Sequence, residues 1–324
     1  MSSVLCSVAT RGRYHTTLPL TLNAIINQTK KIDKLVIFDD NDEPQDMRNE
    51  LVYGYFFQML NIKGIAWEWV YANKKGQHYI HQMANTMGFD WVWRVDDDAI
   101  PEPNVLQNLF NYAHKNVGAV GGAILTPPFP VNSNNEKPTG KIELINREPN
   151  IQWSFIHKVK EVEHLHCSFL YRAGVHDYHL GLSRVAHREE TLFTYGLFKK
   201  GYKILVVPNA NTWHLKNPNG GIRSETNEIL YGQDETVFNN LVNYSDKTIV
   251  ILTGGMCDHI VFTHVMPDIT NPEIFSCYPD IVPGRSIAEA HQLFGSIDPW
   301  NVYIKMYQWK WKGSLEDAYR KMYV

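Results

Sequence analysis

Trp91-Val92-Trp93-Arg94-Val95-Asp96-Asp97-Asp98-Ala99-Ile100-Pro101 is the stretch whose reading decides the fold. Its first five residues, Trp and Val around one Arg, favour an extended strand; three carboxylates follow, and Pro101 and Pro103 then stop the run. Adjacent like charges repel one another and shed charge when buried, so such a strand end is solvated or neutralised by a cation. Hard oxygen ligands of this kind suit Mg²⁺ or Mn²⁺, ions that in turn hold phosphate oxygens. Taken alone, the triplet reads more simply as a polar turn after a buried strand. Its neighbours change that reading.

Upstream, Val4 to Ala9 is a buried strand, Thr10-Arg11-Gly12-Arg13-Tyr14 a polar turn, and Leu18 to Gln28 an amphipathic helix with Leu18, Leu22, Ile25 and Ile26 on one face. Lys34 to Phe38 is a second strand that ends in Asp39-Asp40-Asn41-Asp42. Strand, helix and strand in so few residues form a βαβ unit, which predicts a parallel sheet with its ligand crevice at the carboxyl ends of the strands. Both acidic clusters sit at such ends. Met47 to Leu60 reads as a helix, Ala66 to Tyr71 as a strand, and Gln77 to Met87 as the helix leading into Trp91.

Downstream, Asn104 to His114 reads as a helix, and Val117 to Leu125 as a strand in which Gly121-Gly122 permits close backbone approach. Pro127 to Asn150 is a long polar loop, a feature more often functional than idle. Glu163 to Tyr171 reads as a strand on which His164 and His166 share a face, as sheet or acceptor-pocket residues. Glu189 to Lys200 is a helix stopped by Gly201, followed by the strand Lys203 to Val207, Pro208, and Thr212-Trp213-His214. Asn217-Pro218-Asn219-Gly220-Gly221 is rich in breakers and reads as a hinge or lid.

The 324 residues, 44% of them hydrophobic, are enough to bury a substantial core. A formal charge of -3 gives no global attraction to nucleic acid or anionic membrane. The four cysteines, Cys6, Cys167, Cys257 and Cys277, are scattered without a Cys-x-x-Cys pair, so neither a zinc site nor a disulfide scaffold is indicated. The chain shows no signal-peptide pattern and no apolar run of about 18 residues, and a soluble, cytoplasmic protein is the expectation.

From Thr248 the composition shifts to a second α/β pattern. A strand at Thr248 to Thr253 precedes a helix near His259 to Val265, a strand near Ile274 to Tyr278, a helix near Ser286 to Phe294, and a terminal helix at Leu315 to Met322. Trp309 and Trp311, interleaved with lysines, read as one packed and one solvated face of a strand. The expected organisation is a catalytic domain at 1–218, a lid or linker at 219–246 and a small α/β domain at 247–324. Three roles stand open for the last: a structural cap, an acceptor-binding module or a homo-oligomer contact.

The order of motifs over roughly residues 3–215 resembles the inverting family-two glycosyltransferases of the GT-A fold. A strand precedes Thr10-x-x-Arg13, another precedes Asp39-Asp40, a third precedes Asp96-Asp97-Asp98, and Glu189-Glu190 is followed by Gly201-Tyr202, Pro208-x-Ala210 and His214. The resemblance implies an α/β fold with a Rossmann-like, mostly parallel sheet, and transfer of a sugar from a nucleoside-diphosphate donor, with UDP the expected nucleotide. It implies that Thr10, Arg13, Asp39 and Asp40 surround the base and ribose, that Asp96 or Asp97 faces the ribose, and that Asp98 and His214 hold Mn²⁺ or Mg²⁺. Glu190 becomes the general base, with Glu189 as the near alternative.

Arg94, Lys216 and Arg223 are cations in reach of a diphosphate, each read first as solvated. The implied acceptor is a hydroxyl of a glycan or surface polysaccharide precursor; a hydroxymethylated DNA base, as in phage-type transferases, is the minority alternative. A non-catalytic nucleotide- or sugar-binding protein would share the fold. A sugar-1-phosphate nucleotidyltransferase ranks last, because Thr10-Arg11-Gly12-Arg13 lacks its Gly-rich loop. Thr253 to His259 is faintly similar to the opening turn of GT-B heptosyltransferase-type enzymes.

Overall fold

The computed structural model describes residues 2–73, 75–127, 156–216, 219–221 and 228–243, together with four short strands between 249 and 286. The polar loop beyond Pro127, Arg223, the turn from Gly254 to His259, Trp309, Trp311 and the terminal helix lie outside the described residues. So does the helix expected after Ser286. The chain divides into two compact units, one formed by residues 1–179 and 184–228 and the other by 180–183 and 229–324.

The first unit alternates strand and helix as its apolar periodicity requires. β1 (Val4–Thr10), α1 (Leu18–Ile26), β2 (Lys34–Asp39), α2 (Leu51–Ile62), β3 (Ala66–Tyr71), α3 (Gln77–Asn85) and β4 (Trp91–Asp96) follow one another. Then come β5 (Ala99–Pro101), α4 (Val105–Phe110), β6 (Val117–Gly121), β7 (Ile124–Leu125), β8 (Lys160–Val162), β9 (Phe169–Arg172), α5 (Glu189–Lys199), β10 (Lys203–Val206) and β11 (Thr212–His214). Eight of these strands form one sheet in the order β3-β2-β1-β4-β9-β6-β10-β8. The four from β3 to β4 are mutually parallel, and β9 runs antiparallel between β4 and β6.

Both faces of this sheet are covered, so its central strands are apolar throughout rather than alternating. In β2, Leu35 and Ile37 enter the core beneath α1 and α2, while Val36 and Phe38 enter the opposite core with Ile80 of α3 and Phe193 of α5. A slip of one residue would exchange the two sets, which fixes the register. That register sets Thr10 opposite Asp39 and Ala9 opposite Asp96, so the strands end level and their polar residues gather on one rim.

A small second sheet, β5-β11-β7, crosses that rim and pairs His214 with Ala99, the residue after the acidic triplet. The single strand read from Val117 to Leu125 is two strands, broken at Gly122. A Cβ built on Gly122 would lie 1.7 Å from the carbonyl oxygen of Ala210, so only glycine lets this turn pass beneath the segment that leads into β11.

The second unit contains α6 (Glu228–Asn243), which occupies much of the span read as lid or linker, and a sheet in the order β13-β12-β14-β15. Its strands are β12 (Ile249–Thr253), β13 (Ile260–Thr263), β14 (Glu273–Ser276) and β15 (Arg285–Ser286). The helix read near His259 to Val265 is therefore corrected to β13, which lies antiparallel to β12. Its Ile-Val-Phe-Thr run is β-branched and aromatic, and pairing along a neighbouring strand outweighs the weak helical spacing. Among the described residues no helix is long and apolar enough to cross a membrane.

Gly122→Ala is expected to lower the unfolding free energy by about 3 kcal/mol or more, because the clash is with backbone and cannot be relieved by a rotamer change. Urea denaturation reads this directly. An unchanged midpoint would mean that the Ala210 segment yields.

Candidate active site

The acidic triplet is drawn inward rather than solvated. Asp97 and Asp98 are buried, while the Asp96 side chain remains 19% exposed. Arg13, delivered by the turn after β1, forms ion pairs with Asp97 and with Asp98 Oδ2, the latter at 3.1 Å. Asp97 also accepts from the Thr10 hydroxyl at 2.8 Å and from the Arg11 amide at 3.3 Å. Burial pushes the Asp97 carboxyl up to about 6 against the pull of Arg13, and the neighbouring Asp98 adds to the rise. The other oxygen of Asp98, Oδ1, lies 3.2 Å from His214 Nε2.

Thr10, Arg13 and Asp39 do gather at the carboxyl rim, yet their polar atoms are largely engaged with the protein itself. Asp39 accepts from the Tyr14 hydroxyl, from Trp69 Nε1 at 3.3 Å and from the Asn41 amide nitrogens at 3.1 and 2.7 Å. Asp40 turns the other way and accepts from the Lys75 and Gly76 amides at 2.8 and 3.0 Å, which holds the approach to α3. Gly221 lies against the far side of Arg13: a Cβ there would stand 2.7 Å from the guanidinium.

The adjacent glutamates at the start of α5 face different surroundings. Glu189 is 1% exposed and its Oε1 receives Arg94 Nη1 at 2.7 Å. Arg94, also 1% exposed, reaches Asp96 as well, at 3.1 Å, and packs over the Phe169 ring. Burial pushes the Glu189 carboxyl up, and the guanidinium opposes the rise. Glu190, 16% exposed at its side chain, is held by His166 Nδ1 at 2.7 Å. Burial alone would raise Glu190, but the hydrogen bond and charge of His166, with Arg94 behind them, hold it well below the ordinary carboxylate range. A carboxylate only accepts, so Nδ1 of His166 carries the proton. The His166 ring also stands edge-on to His214, with centroids 6.4 Å apart, and thereby joins the glutamate to the acidic triplet.

Two sequence readings are corrected here. Arg94 is a buried cation shared between two carboxylates, not a solvated one. Its place between Trp93 and Val95 on an apolar strand was the available signal, since a charge there requires a partner. His164 and His166 do not lie on one continuous strand. β8 ends at Val162 and β9 begins at Phe169, because Cys167 between them adopts φ 62°, a left-handed conformation that no strand accommodates. That bend points His166 at Glu190, and nothing in the local sequence announces it.

A mostly parallel α/β sheet, an acidic triplet at its rim and a carboxylate beside it together define a glycosyltransferase of the GT-A class. The chain belongs to glycosyl transferase family 2, whose family model matches residues 8–178, just over half of its length. No curated protein matches it significantly. Among solved structures it is similar to GalNAc-T7, crystallised with UDP, GalNAc and Mn²⁺, at 11% identity and a TM-score of 0.52. That match covers 66% of this chain and 43% of GalNAc-T7. It is also similar to S. aureus TarS 1-349 in complex with UDP-GlcNAc, at 14% identity and a TM-score of 0.50, over 74% of this chain and 66% of that one. At such identities the likeness is one of fold, and the chain spans less than half the length of GalNAc-T7.

Arg94→Met is expected to cost about 3–5 kcal/mol, because it leaves Glu189 buried without its counter-charge. Adding Glu189→Leu to the same chain should restore most of the loss. Urea unfolding of the single and double variants tests this, and a double variant no more stable than the single would show that the pair is not the source of the cost.

Proposed function

We propose that the first unit catalyses metal-dependent, inverting transfer of a sugar from a UDP-linked donor, the nucleotide present in the crystallised neighbours, to a hydroxyl of a glycan or surface polysaccharide precursor. The observation that carries this reading is the meeting of Asp98 and His214 at 3.2 Å, with the Glu190–His166 pair beside them.

The donor set fits a divalent cation. Two neighbouring ligands, each about 2.1 Å from one ion, stand roughly 3 Å apart, the spacing at which Asp98 Oδ1 faces His214 Nε2. Asp98 and His214 would hold Mn²⁺ or Mg²⁺, and the ion, when bound, offsets the charge that grows on the departing diphosphate. Arg13 keeps Asp98 Oδ2 occupied and so directs Oδ1 toward that position. Asp97 has its oxygens taken up by Thr10, Arg11 and Arg13, which leaves Asp96 as the member of the pair able to meet the ribose or the ion.

Glu190 takes the acceptor's proton. The acceptor oxygen then bonds to the anomeric carbon as the bond from that carbon to the phosphate oxygen breaks, and the nucleoside diphosphate leaves from the opposite face. His166 binds one carboxylate oxygen of Glu190 and leaves the other for the acceptor hydroxyl. Its hydrogen bond also keeps Glu190 ionised at neutral pH, the state that a base requires. Glu189 serves the site indirectly, through Arg94 and Asp96.

Glu190→Gln is expected to lower kcat by about 10²- to 10⁴-fold, the usual worth of a general base, while leaving nucleotide binding intact. UDP with Mn²⁺ should raise the melting temperature, with about 2.7 kcal/mol of stabilisation at a hundredfold excess over Kd, and Asp98→Ala should abolish the Mn²⁺-dependent part. A panel of nucleotide sugars, followed by release of free nucleoside diphosphate, completes the test. If no donor is hydrolysed and none stabilises the chain, the catalytic reading fails.

A further inference from the structure

The thiol of Cys167 is fully buried close to Asp96 and His214. Ligand atoms of Asp96, Cys167 and His214 all lie within 4.8 Å of one another. These three come from three separate places in the fold: the end of β4, the left-handed turn before β9, and β11. The β5-β11 pairing that sets His214 opposite Ala99 holds the imidazole there. Cys167 itself sits at a positive φ of 62° in the turn before β9.

Resting on the cation reading above, we infer that Cys167 is a further ligand of the bound ion, completing an Asp96, Asp98, His214 and Cys167 set that takes a transition-metal ion in preference to Mg²⁺. Ligands bound in a tetrahedral shell through metal–nitrogen and metal–sulfur bonds of about 2.1 and 2.3 Å stand roughly 3.6 Å apart, so the side chains need to close by up to about an ångström. Mg²⁺ demands near-ideal octahedral oxygen coordination and gains little from sulfur, whereas Zn²⁺ and its neighbours accept carboxylate, imidazole and thiolate together. On binding, the thiol gives its proton to solvent and the sulfur takes a bond to the ion that Asp96 also binds. Asp96 thereby becomes a ligand rather than a partner of the ribose.

Co²⁺ is the probe, because a thiolate bound to it gives a near-ultraviolet charge-transfer absorption that oxygen and nitrogen ligands do not. The full-length chain titrated with Co²⁺ in the presence of UDP should show that band. It should persist in Cys257→Ser/Cys277→Ser and vanish in Cys167→Ser, with circular dichroism verifying that each variant is folded. Cd²⁺ affinity should fall by roughly tenfold or more in Cys167→Ser while Mg²⁺ affinity is unchanged. Co²⁺ bound without the band, or a band that survives Cys167→Ser, overturns the role of Cys167 and leaves the cation reading standing. If Cys167→Ser does not fold, loss of the band in Cys257→Ser/Cys277→Ser overturns the inference on its own. Failure of the wild type to bind Co²⁺ at all removes both.

Discussion

The site depends on neutralising negative charge in a place where water has been largely excluded. Asp96, Asp97, Asp98, Glu189 and Glu190 crowd one rim of the sheet, and most of them are buried. Two arginines make this tolerable from within the protein. Arg13 covers Asp97 and Asp98, and Arg94 covers Asp96 and Glu189. Each buried pair is strongly destabilising to break from one side, so the rim behaves as one electrostatic unit. Within that unit Asp98 Oδ1 faces His214, and Glu190 faces His166.

Division of labour between the two glutamates follows from the same constraint. They are adjacent on α5, and a helix turns neighbouring side chains through about 100°, so they meet different surroundings. One looks into the core behind the sheet and must find an arginine. The other looks along the rim and finds a histidine. Chemically identical residues thus become a structural anchor and a candidate base.

Much of the first unit could be read from its sequence, because the physics there is local. Apolar runs such as Leu35 to Phe38, helices with one apolar stripe and acidic residues at strand ends give the alternating elements and the rim without further information. The paired glutamates and His214 were likewise visible as a series. What the sequence hid was set by long-range geometry. The bend at Cys167 is a left-handed residue with no glycine or asparagine to mark it, so a strand was read straight through it and the His166–Glu190 contact went with it. The partners of Arg94 and the inward commitment of Asp39, Asp40 and Asp97 depend on which strands lie side by side, which spacing along one chain does not encode. The second unit was less legible still: β13 is short enough for helical and extended readings to compete, and pairing with β12 decided between them.

The contact between Arg13 and the segment after β11 ties distant parts of the chain to the same residue. A Cβ on Gly12 would lie 3.0 Å from the Gly220 Cα, the Gly221 amide donates to the Arg11 carbonyl at 2.6 Å, and Gly221 backs directly onto the guanidinium. There is no slack in this crossing for a side chain. Variation at Gly220 or Gly221 would therefore reach the acidic rim by displacing Arg13, without touching a single carboxylate.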